Sequence, residues 1–307
     1  MILLAAIANT IVLSGPIIAA EPSALQVVED PTSITIRAGN RTVLEYRTTA
    51  APRKPYVREL STPGGVQILR DAVADHKHHH GLMFAIKVEG IDFWSETEKN
   101  GTEKPRGHCD TAAGSFLDGS CTRITQTLDW TDPHGKKLLV ERREVGAVAL
   151  TTPAPVTLVL WNSELSPAAG GDPVKLGGDQ YFGLGMRFLK SMDSGGRFFN
   201  SSKQPGENVG GSFRLVAAKW SAYTASVDGK PVTAAIFDHP SNPRYPNKMF
   251  TMSIPFPYLS ATLNLWKEPL SLTAGAKLKL SYAVAVWDGE TSAEQVESLY
   301  EKWSKAR

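Results

Sequence analysis

Apolar positions along this chain recur mostly at every second residue. Ser33 to Arg37 places Ile34 and Ile36 on one face, Gly39-Asn40 supplies a turn, and Thr42 to Arg47 resumes with Leu44 and Tyr46. That is the alternation of paired, half-buried strands. Gly81 to Ile86 and Thr157 to Trp161 are apolar runs of strand length. Leu278, Leu280, Tyr282, Val284 and Val286 keep strict period two, which predicts one buried and one more polar face. A single segment changes period: Val296, Leu299, Tyr300 and Trp303 form a helical stripe behind Ser292 and Gln295, a capping-box pair. Ser166 to Gly178, rich in Gly, Pro and Ala, reads as a long surface loop. The pattern predicts an all-β chain, a large antiparallel β-sandwich with one C-terminal helix and no internal repeat.

Composition narrows the classes. Apolar residues are 42% and charged residues 21% of 307, ordinary globular values that argue against disorder. The net charge of +2 comes from scattered residues and gives no electrostatic case for nucleic acid. Met1 to Ala20 is apolar and uncharged and ends in small residues before Glu21-Pro22, as a cleaved secretory signal does. It lacks the usual positive start, so an uncleaved anchor and a buried element are the other readings. The expectation is a periplasmic or secreted protein with a single β-sandwich domain over 21–307. No later apolar run reaches spanning length, so no membrane contact is expected after signal cleavage. In an oxidising compartment Cys109 and Cys121 are expected to form a local disulfide across a hairpin. Their spacing does not suit a zinc pair with His108.

Potential chemistry is concentrated in Asp75-His76-Lys77-His78-His79-His80-Gly81, which holds four of the seven histidines. Imidazole titrates nearest neutrality and is the commonest metal ligand. If a strand starts at Gly81, His78 and His80 share one face and His79 the other, whereas a loop could gather all three. The plainer reading is a solvated loop whose histidines bond the backbone. The spacing is not the His-Glu-x-x-His of metalloproteases, so no particular metal is assigned.

A second candidate runs from Phe237 to Pro246 and includes Asp238, His239, Asn242 and Arg244. Its three prolines stiffen the loop. Asp238 is placed to orient His239, and Arg244 offers a planar fork for a carboxylate or paired hydroxyls. The alternative is a rigid turn in which Asp238 and Asn242 satisfy backbone groups. A third segment, Gly90 to Glu96, sets Trp94 beside Glu96, an aromatic face next to an acceptor as a sugar site requires. Glu96 and His108 are acid–base or substrate-holding candidates. There is no Gly-x-Ser-x-Gly elbow and no phosphate-binding glycine loop.

Several blocks together resemble a known family. Lys54-Pro55-Tyr56-Val57, His78-His79-His80-Gly81-Leu82-Met83-Phe84-Ala85 and Gly90-Ile91-Asp92-Phe93-Trp94 are similar to the first half of a bacterial and fungal family of uncharacterised proteins labelled methane oxygenase PmoA. Tyr181 to Arg187 and Ala234 to Pro246 are similar to its later segments, so the resemblance spans about residues 52 to 290 in order. The family commonly shows His-His-Arg-Gly-Leu-Trp, so His80 stands in place of an arginine and Met83 in place of a tryptophan. The label implies a copper membrane enzyme, which a strand-rich chain without a span after residue 20 does not match. The resemblance implies instead a galactose mutarotase-like supersandwich and carbohydrate processing, by analogy of fold.

The resulting expectation is an exported carbohydrate-active enzyme of lyase, epimerase or hydrolase type. His78, His79 and His239 with Asp238 would do acid–base chemistry; Glu96, His108, Arg244, Asn242 and Trp94 would hold a small-molecule or oligosaccharide substrate. Two alternatives stand beside it. One is a non-catalytic glycan-binding protein, and the other a divalent-metal enzyme using His78, His79 and His239.

Overall fold

Alternation within each strand decides which residues face a second sheet, and the computed structural model shows two large sheets meeting face to face. It describes residues 24–306 apart from 75 and 169–172. The expected signal segment therefore lies outside the described residues. A ten-stranded antiparallel sheet runs in the order Leu25–Asp30, Ser33–Ala38, Arg41–Arg47, Tyr56–Leu60, Leu82–Ala85, Gly183–Arg187, Tyr258–Thr262, Lys248–Met252, Phe213–Ala217 and Glu207–Gly210. An eight-stranded sheet runs Arg197–Asn200, Trp220–Val227, Lys230–Asp238, Leu278–Asp288, Val156–Pro167, Lys137–Leu150, Gly119–Thr131 and Thr102–Phe116. A small sheet joins Leu270–Leu272, Val174–Gly177, Lys87–Val88 and Ile91–Asp92. The segment expected to be a long loop thus supplies the end of one strand and the whole of another.

The inter-sheet core identifies the outer faces. Phe84 of the ten-stranded sheet meets Trp130 of the eight-stranded sheet, with ring centroids 6.2 Å apart. Its neighbour Met83, paired with Gly185 and through it with Ser260, must then face away from that core. Arg187 and Tyr258, a register pair two positions further on, share this outer face. It carries the site described below.

The helix Ala293–Lys305 covers the outer face of the other sheet. Ser292 and Gln295 form the expected capping box. Val296, Leu299, Tyr300 and Trp303 pack on Trp220, Phe237, Ala283, Ala285 and Trp287. The alanines leave room for the helix, so Leu278–Asp288 is polar on its second face only at Lys279 and Ser281 and is buried on both faces from Tyr282 to Trp287. No helix among the described residues is long and apolar enough to cross a membrane.

The expected disulfide is absent: both cysteines are free thiols. The hairpin register sets Cys121 opposite Gly114, not Cys109. Five residues of strand separate those positions by roughly 16 Å, far beyond disulfide reach. The two thiols also serve different faces, since Cys121 lies in the cluster under the helix and Cys109 packs against the inter-sheet core.

Candidate functional site

The histidine run is a compact loop tied to itself. His76 N donates to Val73 O, His79 N to His76 O, and Ala72 N to His79 O. Gly81 follows because a Cβ there would lie 2.6 Å from Val57 O. No other residue lets the loop cross its neighbouring strand so closely.

His80 sits deepest. Its Nδ1 lies 2.7 Å from Asp71 Oδ1 and its Nε2 2.9 Å from Glu96 Oε1. Its ring stacks on Tyr56 at 4.0 Å, and the Tyr56 hydroxyl donates to Asp71 Oδ2. Burial opposes a charge on His80, but the hydrogen bonds with Asp71 and Glu96 outweigh it and raise the pKa above the ordinary histidine value. Lys54, wholly buried, donates to the same Glu96 oxygen at 2.7 Å and to Trp94 O at 2.9 Å. Burial pushes the Glu96 pKa up, while His80 and Lys54 together bring it below the usual carboxylate range. Histidine at position 80 therefore keeps a group whose charged form two carboxylates favour.

His79 has the opposite character. It lies against Trp94, Tyr258 and Phe256 at centroid distances of 6.3, 6.0 and 5.6 Å. Burial first, then the nearby His78, His76 and Arg187, lowers its pKa to about 3. It is a neutral imidazole at physiological pH. His78 touches His79 at 4.6 Å and is half-buried. Its pKa is lowered by burial, Lys54 and His76. His76 packs edge-on to Phe256, whose ring also carries the Arg187 guanidinium at 3.4 Å.

The aromatic wall is positioned from dispersed segments. Asp92 Oδ1 accepts from Trp94 N and Ser95 N, a local turn that fixes Trp94 and leads to Glu96. Trp94 stacks on Phe182 at 5.0 Å and meets Tyr181 and Tyr258 edge-on. Gly185 makes space for Tyr258, since a Cβ there would sit 1.7 Å from the phenol oxygen. Within this group Trp94 Nε1, Glu96 Oε2 and His79 Nδ1 are buried without a hydrogen-bond partner among the described residues.

Sequence reasoning named His78, His79, Glu96 and Trp94, which the structure brings together. It missed Lys54, Tyr56, Asp71, Arg187, Phe256 and Tyr258. Only Lys54, Tyr56 and Arg187 left a trace, as members of the motif blocks.

The second expected segment is elsewhere. Asp238 does not orient His239: its carboxylate accepts from Asn242 Nδ2, Asn247 N and Asn247 Nδ2. Asn242 also brackets Ser281, donating to its carbonyl and accepting from its N–H. His239 Nδ1 contacts Ser241 N and Oγ, its ring meets Trp303, and it bonds the Ser304 backbone at the end of the helix. With Arg123, Glu144 and Asn162 it lines a separate cavity of about 250 Å³ on the eight-stranded sheet. Arg244 donates to Leu263 O and Pro269 O and so closes a loop. His108 is exposed on the edge strand Thr102–Phe116. The rigid-turn reading of this segment is the one the structure supports. The three histidines of the expected metal set are not brought together: His239 lines the cavity on the eight-stranded sheet, while His78 and His79 pack on each other at the ten-stranded one. Among the described residues no three His, Cys, Asp or Glu side chains are arranged to hold a metal ion.

Two solved structures show what the chain is similar to. One is the galactosidase domain of the α-galactosidase–sucrose kinase AgaSK, at 8% identity and TM-score 0.49 over 86% of this chain and 42% of that one. The other is a GH36 α-galactosidase AgaA variant from Geobacillus stearothermophilus in complex with raffinose, at 9% identity and TM-score 0.36 over 81% of this chain and 32% of that one. The chain thus spans less than half the length of either. No curated protein matches it in sequence. The model of the family of unknown function DUF6807 matches residues 33–301, and the chain belongs to that family.

Proposed function

We propose that the outer face of the ten-stranded sheet binds a sugar or glycoside and that the protein is an exported carbohydrate-active enzyme. The observation that carries this is the set of unpartnered buried atoms beside aromatic rings. Trp94 Nε1 can only donate, Glu96 Oε2 as a carboxylate can only accept, and neutral His79 can do either. A hydroxyl both donates and accepts, so neighbouring sugar hydroxyls satisfy such a set while ring C–H faces pack on aromatic walls. The apolar, uncharged Met1–Ala20 segment supports export.

The geometry sorts the reaction types. A glycosidase of the two-carboxylate kind needs one acid free to give up a proton. Asp71 and Glu96 are both engaged by His80, which weighs against that kind. Proton abstraction, as in a lyase or epimerase, needs a neutral base with pKa near the working pH. His78 is the better placed of the two, half-buried and with its charged form disfavoured by burial, Lys54 and His76, so that it is a neutral imidazole; His79, at about 3, is too weak a base and fits substrate holding. That weakness also favours a second reading, glycan binding without turnover.

Calorimetric titration with a panel of neutral and acidic mono- and disaccharides tests the first step. At least one saccharide binds saturably, and Glu96→Gln weakens it at least about tenfold, the scale of a lost charged hydrogen bond. A panel without a binder, or a Glu96→Gln variant that binds as wild type, would sink the site. With a binder in hand, mass spectrometry after long incubation separates enzyme from binder. Product that disappears in His78→Gln supports the enzyme.

A further inference from the structure

Between the two sheets, the side chains of Arg143, Glu103 and Glu141 are wholly buried. Arg143 spends every nitrogen there. Nε and Nη2 donate to Glu141, Nη2 also to Glu103 at 2.8 Å, and Nη1 donates to Pro55 O at 3.0 Å. Its guanidinium lies 4.9 Å over the Trp161 ring. Trp130 Nε1 and Ser163 Oγ add two more donors to Glu141. Glu103 contributes its backbone too, its N–H donating to Arg53 O.

A buried charged cluster is a poor source of stability, since desolvation opposes its mutual attraction and apolar residues of similar volume often do as well; burial pushes the Glu103 pKa up to about 8 in spite of Arg143. Its value lies in direction: a fork of fixed geometry holds what it bonds in one place. Here Arg143 holds Pro55 through its side chain and Glu103 holds Arg53 through its backbone N–H, and these are the two residues that flank Lys54. Arg53 is held again from its side chain, by Asn100 O and Thr102 Oγ1. Lys54, the residue between, sends its amine the other way, to Trp94 O and Glu96.

We infer that Arg143, with Glu103 and Glu141, is the positioning group that aims Lys54 at Glu96 and so fixes the Glu96–His80 contact on the far side of the ten-stranded sheet. None of the three touches the site. They act on it through the Arg53-Lys54-Pro55 segment. The link to sugar binding rests on the function proposed above, whereas the positioning of Lys54 stands without it.

The test is therefore independent of any ligand. Acetylation by an N-hydroxysuccinimide ester is followed by mass spectrometry, with exposed lysines such as Lys279 as internal controls. Lys54 of the wild-type protein is protected. In Glu103→Met/Glu141→Gln/Arg143→Met, whose amide oxygen keeps an acceptor for Trp130, Lys54 reacts about tenfold faster or more while Lys279 is unchanged, as local release requires. A folded variant in which Lys54 keeps its wild-type protection overturns the inference. If that variant does not fold, Arg143→Lys takes its place, because it keeps the charge but cannot bridge Pro55, Glu103 and Glu141 at once. Unchanged Lys54 protection in folded Arg143→Lys is equally fatal. Saccharide binding unaffected by Lys54→Met would instead count against the sugar site, and positioning would still be decided by the labelling rates alone.

Discussion

His80 Nε2 lies 2.9 Å from Glu96 Oε1, and each residue stabilises the charged form of the other. Because the folded-state pKa of His80 is raised, its contribution is fully present below the unfolded value and is lost as pH rises through the folded one. Because that of Glu96 is lowered, its contribution is present above its unfolded value and is lost as pH falls through the folded one. The pair is fully stabilising between about pH 4.5 and 6.5, the ordinary values of the two groups. Urea unfolding from pH 5 to 9 should therefore show stability declining above 6.5, and His80→Asn should flatten that decline. A wild-type decline that persists unchanged in His80→Asn contradicts the bridge.

His79 works in the other direction. Its folded pKa of about 3 means that the unfolded chain takes up a proton near pH 6.5 and the folded protein does not. Stability falls as pH drops between those values, by on the order of 5 kcal/mol if the whole shift is realised. His79→Gln removes this loss, so the variant gains relative to wild type as pH falls from 6.5 towards 4. NMR titration offers the direct check, with the His79 ring staying neutral at pH 4.5.

Gly185→Ala displaces Tyr258 from the site. The new Cβ would lie 1.7 Å from the phenol oxygen, and Tyr258 is hemmed in by Trp94, His79 and Phe250. Overpacking of this kind costs about 1–3 kcal/mol. Gly177→Ala meets only the Lys87 side chain, at 3.7 Å, and is the near-neutral comparison. Thermal denaturation of both, with tryptophan fluorescence reporting on Trp94, distinguishes the two; equal melting temperatures would contradict the packing.

Cys109 and Cys121 react as two separate thiols. Denatured without reductant, the protein should take up two equivalents of an alkylating agent, and in the native state the buried Cys121 should react more slowly than Cys109. Cys121→Ala leaves a small cavity in the cluster under the helix and costs about 1 kcal/mol. A single peptide pair linked by a disulfide in the non-reduced digest would refute the register.

The periodic signal was enough to read both kinds of secondary structure. Leu278–Asp288 and the helix behind Ser292 are set by spacing and capping within a few residues. Register and strand pairing are not local, and that is where expectations failed. The cysteine pair looked close because sequence distance hides where a hairpin turns: Gly119 pairs with Phe116, so Cys121 meets Gly114. The site suffered similarly. The histidines announced themselves by density, whereas Asp71, Phe256 and Tyr258 come from other segments and carry no pattern of their own. Conversely, the Asp238–Pro246 segment looked chemical because Asp and His are adjacent. Their side chains belong to different networks, one inside the sandwich and one at the helix end.

That last separation yields a prediction of its own. His239 bonds the Ser304 backbone, contacts Ser241 through its other nitrogen, and packs on Trp303. Imidazole at the last turn satisfies one of the carbonyls that a helix end leaves without an intrahelical donor. His239→Ala removes this bond and the ring contact, with a cost of about 1–2 kcal/mol. The loss should appear as faster amide exchange in the last turn of Ala293–Lys305. Saccharide affinity should not change, because none of the contacts of His239 reaches His78, His79 or Glu96. If His239→Ala left the helix end intact and abolished binding, the two loops would have to meet in the functioning protein, and the separation seen here would not describe its working state.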